Sequence, residues 1–125
     1  MSSMDVSKKV TVLSKVTVGA NASMYDYLLA DDEVVCLEYK AFRDIVIFTD
    51  RKVVLIDVQG ITGNKKEWLV LPYSKSTAFS VESAGSFDLD AECKIWASGI
   101  GCIELEFVKH TDIREIASLL VNKIR

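Results

Sequence analysis

The sequence predicts a mainly β domain (α+β by element count), built as a strongly bent, seven-stranded antiparallel sheet or open barrel capped by a C-terminal amphipathic helix. Three observations lead to this fold class. From residue 33 onward, short apolar segments alternate with turn residues. Residues 87–107 carry apolar side chains at every second position. The last dozen residues change to helical spacing.

Length and composition support one globular domain. The chain has 125 residues and a mass of 13.9 kDa, with 50% hydrophobic and 26% charged residues. A single proline and six glycines exclude collagen-like and proline-rich linker proteins. The net charge of −3 argues against a general electrostatic attraction to nucleic acid or to an anionic bilayer. No apolar run reaches the ~20 residues of a membrane span.

Residues 1–30 differ from the rest and are interpreted as a short N-terminal extension to a domain of residues 31–125. Val10, Val12, Val16 and Val18 alternate as in a strand, yet the segment also fits a loose amphipathic helix. Ser23 is a suitable N-cap for a short helix that would end before residue 31. Strand and helix both remain open for the first part of this extension.

The seven predicted strands follow one another from residue 34 to residue 107. Glycine-containing loops and short polar turns separate most of them, and Pro72 stops the fourth. The sixth and seventh strands have the clearest alternation, with one apolar and one charged face. The predicted strands are residues 34–40, 43–49, 52–58, 67–71, 77–82, 87–96 and 103–107.

The C-terminal segment is predicted to be an amphipathic helix. Its apolar side chains fall at the spacing of one helical stripe, and Thr111 is a suitable N-cap. Such a stripe must be buried, so we expect the helix to lie on the sheet or to close one end of a barrel. The stripe consists of Ile113, Ile116, Ala117, Leu120 and Ile124.

Three long stretches of the chain resemble the bacterial pleckstrin-homology-like (PH-like) family, also called bacterial PH domains. They are residues 43–51, residues 60–66 and residues 79–92, the last followed by residues 94–96. The resemblance implies a PH-like fold and cyclic homo-oligomers. It implies no enzymatic activity, because the family is functionally uncharacterised.

The residues themselves offer little for catalysis or metal binding. The three cysteines form no C-x-x-C pair, so we expect buried, reduced thiols in a cytoplasmic protein. His110 is the single histidine and stands in a turn before the helix. Acidic side chains at every second position of a strand are a weak calcium signal, because a straight strand does not wrap around a cation. We therefore predict no catalytic residue, no metal and no cofactor.

The charge is distributed unevenly along the chain. Residues 40–75 have a net charge of +3 and residues 76–110 a net charge of −4. We predict that an acidic hairpin face meets a basic face of the next subunit; the alternative is that water and salt screen both faces. The predicted acidic face consists of Asp88, Asp90, Glu92, Glu104 and Glu106, and the predicted basic face of Arg43, Arg51, Lys52, Lys65 and Lys66.

These observations favour a non-enzymatic PH-like protein that assembles into a ring and binds an unidentified protein or small ligand, but no nucleic acid. A peripheral membrane domain that binds lipid headgroups is the alternative, and a small hydrolase is the third hypothesis. The turn at residues 40–43 offers only Lys40 and Arg43, which is too few cations to surround a multiply charged headgroup.

Overall fold

A computed structural model of the protein describes residues 6–83 and 91–124, which form one eight-stranded sheet and one α-helix. The predicted mainly β sheet with a C-terminal helix is confirmed, with eight strands instead of seven. Short 3₁₀ turns lie at Ala22–Met24, Asp26–Leu28 and Tyr73–Lys75. The strands are β1 (Val6–Val16), β2 (Val35–Ala41), β3 (Asp44–Thr49), β4 (Lys52–Gln59), β5 (Lys65–Pro72), β6 (Ser76–Glu82), β7 (Ala91–Ala97) and β8 (Gly101–Phe107), and the helix is α1 (Ile113–Lys123).

The strands are ordered β5-β4-β3-β2-β1-β8-β7-β6 across the sheet. Neighbours are antiparallel except for β1 and β8, which are parallel. The sheet curls into a half-barrel, and α1 packs on β6 and β7. Strands β5 and β6 are therefore the two edges, although the 3₁₀ turn Tyr73–Lys75 joins them directly in sequence.

Strand β1 resolves the ambiguity at the N-terminus, because the segment is a strand and the helical alternative is wrong. Ser14–Val16 pairs with β2, whereas Val6–Leu13 pairs with β8. The register shifts between Val10 and Leu13, where Val12 has a φ of 61°. This bulge buries Val10 and Leu13 and leaves Val12 64% exposed. The division predicted at residue 30 does not coincide with an edge of the sheet, since β1 lies between β2 and β8.

The inner core fills the concave side of the sheet. Tyr39 lies edge-on to Phe48 and Phe107, with ring centroids 6.0 and 4.9 Å away. From α1, the buried side chains of Ile116 and Leu120 join this core. The predicted docking of the helix stripe on the sheet is thus observed.

A second, smaller core lies on the outer face of β3 and β4. Ile45 and Ile47 of β3 pack here with Tyr25 from the segment before β2. This cover explains why Ile45, Val46, Ile47 and Phe48 are all buried, since both faces of β3 are shielded from water.

Two local predictions are corrected by the structure. The N-cap of α1 is Asp112, whose carboxylate accepts a hydrogen bond from the Arg114 amide at 3.1 Å. The Thr111 hydroxyl instead donates to the Val108 carbonyl at 2.7 Å. Cys93 and Cys102 are buried as expected, but Cys36 is exposed at the start of β2.

Candidate functional site

Three glutamates of the predicted acidic face come together on β7 and β8. Glu92 lies opposite Glu106 in the β7–β8 register, and Glu104 is the next outward-facing residue of β8. One carboxylate oxygen from each lies within 4.8 Å of the others. Asp88 and Asp90, the other two predicted members, lie outside the described residues.

These glutamates have a counter-ion within their own chain. Lys9 of β1 places its ammonium 2.9 Å from Glu104 and 2.8 Å from Glu106. Lys94 contributes a further contact, 3.6 Å from Glu104. The hydrogen bond from Lys9 holds the pKa of Glu104 below its usual value. Burial and the neighbouring carboxylates raise the pKa of Glu92 instead.

Two of the five predicted interface cations, Arg51 and Lys52, form ion pairs within the chain. The Arg51 guanidinium lies 2.6 Å from an Asp32 oxygen. The Lys52 ammonium contacts Glu33 at 2.9 Å and the Leu28 carbonyl at 2.6 Å. These contacts secure the segment before β2 to the β3–β4 turn.

The remaining cations lie at the opposite end of β4 and β5. Arg43 Nη1 donates to the Gly60 carbonyl at 2.8 Å. Lys65 and Lys66 begin β5, and within the described part of the chain neither forms an ion pair. The predicted basic face is therefore divided between two ends of the sheet, and Lys65 and Lys66 keep their charge available.

A cavity of about 190 Å³ opens between β1 and the β3–β4 pair. The Lys8 ammonium at its wall already contacts Asp57 at 2.9 Å and Glu67 at 2.5 Å. The hydrogen bond from Lys8 lowers the pKa of Asp57. This cavity contains a structural ion-pair network that connects β1 to β4 and β5. Its lining residues are Lys8, Lys9, Val10, Asp44, Leu55, Ile56 and Asp57.

Strands β5 and β6 provide two open edges in the described part of the sheet. In the described residues each pairs on one side only, so its other edge presents backbone N–H and C=O groups. Partly exposed apolar side chains stand along both, namely Trp68 and Val70 on β5 and Val81 on β6. Apolar side chains beside an open edge favour pairing with another strand.

Sequence reasoning missed Glu38, a fully buried carboxylate in β2. It accepts hydrogen bonds from the backbone amides of Gly19 and Asn21, from the Asn21 side chain and from the Tyr25 hydroxyl. A single glutamate within the first predicted strand, residues 34–40, gave no signal of this role. These bonds hold residues 19–25 over the outer core.

No helix among the described residues has the length and apolar character needed to cross a membrane.

Comparison with known proteins identifies the family. The family model described as the bacterial PH domain matches residues 6–124. The uncharacterized protein YjqA of Bacillus subtilis (strain 168) is 43% identical over 96 residues, which cover 75% of this chain and 77% of that protein. YozO of the same organism, also described as uncharacterized, is 28% identical over 109 residues, covering 87% and 94%.

Solved structures agree with this match. A DUF1696 family protein with a pleckstrin-homology domain from Shewanella loihica PV-4 is 35% identical, with a TM-score of 0.80 over 93% of this chain and 100% of that one. A pleckstrin homology domain from Shewanella amazonensis SB2B is 37% identical, with a TM-score of 0.67 over 90% and 91%. With the family match spanning all eight strands and α1, the chain belongs to the bacterial PH domain family.

Proposed function

We propose that this protein is a non-enzymatic binding module whose copies assemble into a ring by pairing β5 of one subunit with β6 of the next. The observation that carries the proposal is the presence of two different open strand edges on one sheet. A contact between two different surfaces is heterologous, and it closes into a ring when the rotation between subunits permits. The assembled ring would then present a surface to a protein or small ligand.

Charge favours an antiparallel pairing of these edges. In that orientation Lys65 and Lys66, at the start of β5, stand opposite Glu82, at the end of β6. Glu92 of β7 pairs with Glu82, so a second negative charge lies beside Glu82. A parallel pairing would instead place the two lysines opposite Ser76. The antiparallel orientation therefore brings opposite charges together and also pairs the backbone N–H and C=O groups of the two edges.

This arrangement retains only part of the interface predicted from the sequence. Lys65, Lys66 and Glu92 stay in it, and Glu82 is added. The other described members of the predicted faces have partners in their own chain. They are Arg43, Arg51, Lys52, Glu104 and Glu106.

We place the assembly in the cytoplasm, where reducing conditions suit free thiols. Cys36, Cys93 and Cys102 are all unpaired, which supports this location. The non-enzymatic role is supported by the family match, since the PH fold is a fold of non-enzymatic modules.

Light scattering coupled to size-exclusion chromatography tests the assembly. We expect a mass several times 13.9 kDa for the wild type. The Lys65→Glu/Lys66→Glu variant should shift toward monomer, most clearly at low salt, because attraction to Glu82 becomes repulsion. Adding Glu82→Lys to that variant should restore the mass.

Arg114→Glu/Lys123→Glu is the net-charge control, since it makes the same change in net charge on α1, which packs on β6 and β7 but contributes no residue to the proposed β5–β6 pairing. It should leave the mass unchanged. A wild-type monomer at micromolar concentration would contradict ring assembly. An unchanged mass and salt dependence in the Lys65→Glu/Lys66→Glu variant would contradict the β5–β6 pairing.

A further inference from the structure

Three carboxylates stand in a row across β3, β4 and β5, beside the cavity between β1 and the β3–β4 pair. In the β4–β5 register Asp57 lies opposite Glu67. Asp44 continues the β3–β4 register past the pairing of Ile45 with Ile56, which brings it opposite Asp57. Side chains alternate along a strand, so all three acids face the concave side of the sheet. Like charges on neighbouring strands repel one another, so the row requires cations.

The described cations near this row do not balance its charge. Lys8 serves two of the acids, with its ammonium 2.9 Å from Asp57 and 2.5 Å from Glu67. Lys9, the other lysine of the cavity wall, is already shared by two glutamates of β8. Arg43 acts on Asp57 from a distance, but its guanidinium donates to a carbonyl of the β4–β5 turn. These three cations stand against five carboxylates, which leaves an excess of negative charge around the cavity.

Two carboxylate oxygens of the cavity wall accept no hydrogen bond from the described part of the chain. Asp44 accepts the Val58 amide through Oδ1 at 3.0 Å, which leaves its Oδ2. Asp57 accepts from Lys8 and from the Gln59 side chain, in both cases through Oδ2, which leaves its Oδ1. Because an ionised carboxylate is an acceptor only, these two oxygens suit a ligand that donates.

The wall of the cavity is also apolar in part. Val10 of β1 and Leu55 of β4 line it, and both belong to the inner core. Its volume of about 190 Å³ is several times the ~30 Å³ that one water molecule occupies in the liquid. A short chain of several heavy atoms therefore fits. A hydrated metal ion would leave the apolar part of the wall unused, whereas an alkyl chain with a charged end matches both parts.

We infer that this cavity binds a short aliphatic ammonium ion, whose charged group donates to Asp44 Oδ2 and Asp57 Oδ1 and whose alkyl chain lies against Val10 and Leu55. An ammonium group supplies three donors, and hydrogen bonds between opposite charges are the strong ones. The excess negative charge excludes an anionic ligand of the same size. No residue that lines the cavity takes part in the proposed β5–β6 contact, so the inference goes beyond that assembly without depending on it.

Nuclear magnetic resonance titration of the full chain with n-butylamine tests the inference. We expect saturable shifts of the backbone amide signals of Lys8, Val10 and Asp57, with a millimolar dissociation constant. The uncharged analogue n-butanol should bind at least about tenfold more weakly, because it lacks the charge-assisted hydrogen bonds. Magnesium chloride at the same ionic strength should not produce these shifts. Equal binding of n-butanol, equal shifts with magnesium or no saturable shift with n-butylamine would each overturn the inference.

A matched pair of variants locates the charge that the ligand meets. Asp44→Asn keeps an oxygen for the Val58 amide but removes the negative charge, so it should weaken n-butylamine binding by about tenfold. Asp50→Asn is the control, since Asp50 follows the other end of β3 and accepts the Val34 amide at 3.2 Å in the same way. It should bind n-butylamine like the wild type.

Unchanged binding in Asp44→Asn, or equal weakening in both variants, would overturn the inference. The comparison of n-butylamine with n-butanol on the wild type decides the matter even if Asp44→Asn does not fold. The β5–β6 pairing is judged separately, from the mass measured by light scattering without any amine.

Discussion

Replacing Glu38 with alanine should destabilise the protein strongly, because this buried carboxylate is the shared acceptor of four hydrogen bonds. The Glu38 carboxylate is 0% exposed. One oxygen accepts from the Gly19 amide at 2.9 Å and from the Tyr25 hydroxyl at 2.5 Å. The other accepts from the backbone and side-chain nitrogens of Asn21, at 2.9 and 2.8 Å. The variant would leave all four donors without this acceptor.

The magnitude follows from how well water can replace each lost bond. Tyr25 is 1% exposed, so its hydroxyl would lose its partner entirely, at a cost of about 1–3 kcal/mol. Gly19 is exposed and Asn21 is half-buried, so water would satisfy their amides at a cost of a few tenths of a kcal/mol to about 1 kcal/mol each. We expect a total loss of about 3 kcal/mol in the free energy of unfolding, or on the order of 10 °C in Tm.

Urea unfolding of Glu38→Ala, Glu38→Gln and Tyr25→Phe measures these losses. Glu38→Gln keeps one accepting oxygen and should lose less than Glu38→Ala. Asp31→Ala, which removes an exposed carboxylate, is the control and should stay within about 0.5 kcal/mol of the wild type. A loss below about 1 kcal/mol in Glu38→Ala would refute the reasoning, because the four hydrogen bonds would then contribute little to stability.

Three further predictions concern stability. Leu120→Asp should lower the free energy of unfolding by about 4 kcal/mol, measured by thermal or urea unfolding, because Leu120 is 0% exposed and an unpaired charge would enter the inner core. An unchanged Tm would contradict the docking of α1. Tyr39→Phe should be neutral or stabilising by about 1 kcal/mol in the same assay, since the buried Tyr39 hydroxyl has no hydrogen-bond partner within residues 6–83 and 91–124; a loss of more than 1 kcal/mol would reveal one. Burial opposes ionisation of Glu33, but hydrogen bonds from Thr49 and Lys52 help to hold its pKa below 4.5. A lowered pKa stabilises the fold above about pH 4.5, and this stabilisation is lost as the pH falls through the folded-state pKa. The Tm difference between wild type and Glu33→Gln should therefore shrink in acid. A difference that stays constant with pH would contradict this prediction.

The elements predicted best are those whose side-chain pattern has a single explanation. Ala91, Cys93, Ile95 and Ala97 are buried in β7 while the residues between them are more exposed, as the alternation predicts. The stripe on α1 likewise has one spacing and one buried side. In both, local period and tertiary burial agree, so the sequence was sufficient to predict the element and its orientation.

Strand β1 was not predictable with the same certainty, because its own bulge breaks the period. Burial at Val10 and Leu13 is three residues apart, which is a helical spacing, yet it arises from the left-handed backbone at Val12. The alternation of buried and exposed side chains predicts a strand only where the backbone is regular. A bulge at one residue reverses this alternation, and the prediction then fails. The position of β1 beside β8 also depends on a parallel pairing between segments nearly a hundred residues apart, for which the sequence offers no local signal.

Strand β1 also supplies an intramolecular partner that the charge count along the chain did not include. Counting charges along the chain gave residues 76–110 a net charge of −4, and the acids of β8 were therefore assigned to a contact with a neighbouring subunit. Because β1 lies beside β8, the Lys9 ammonium forms ion pairs with Glu104 and Glu106. These two acids therefore have a counter-ion without a neighbouring subunit. Charge that is neutralised within a subunit contributes little to contacts between subunits, because forming the new contact requires breaking the old one. The lysines that begin β5 keep no such internal partner among the described residues, so they, together with the open strand edge beside them, are where attraction between copies should be strongest.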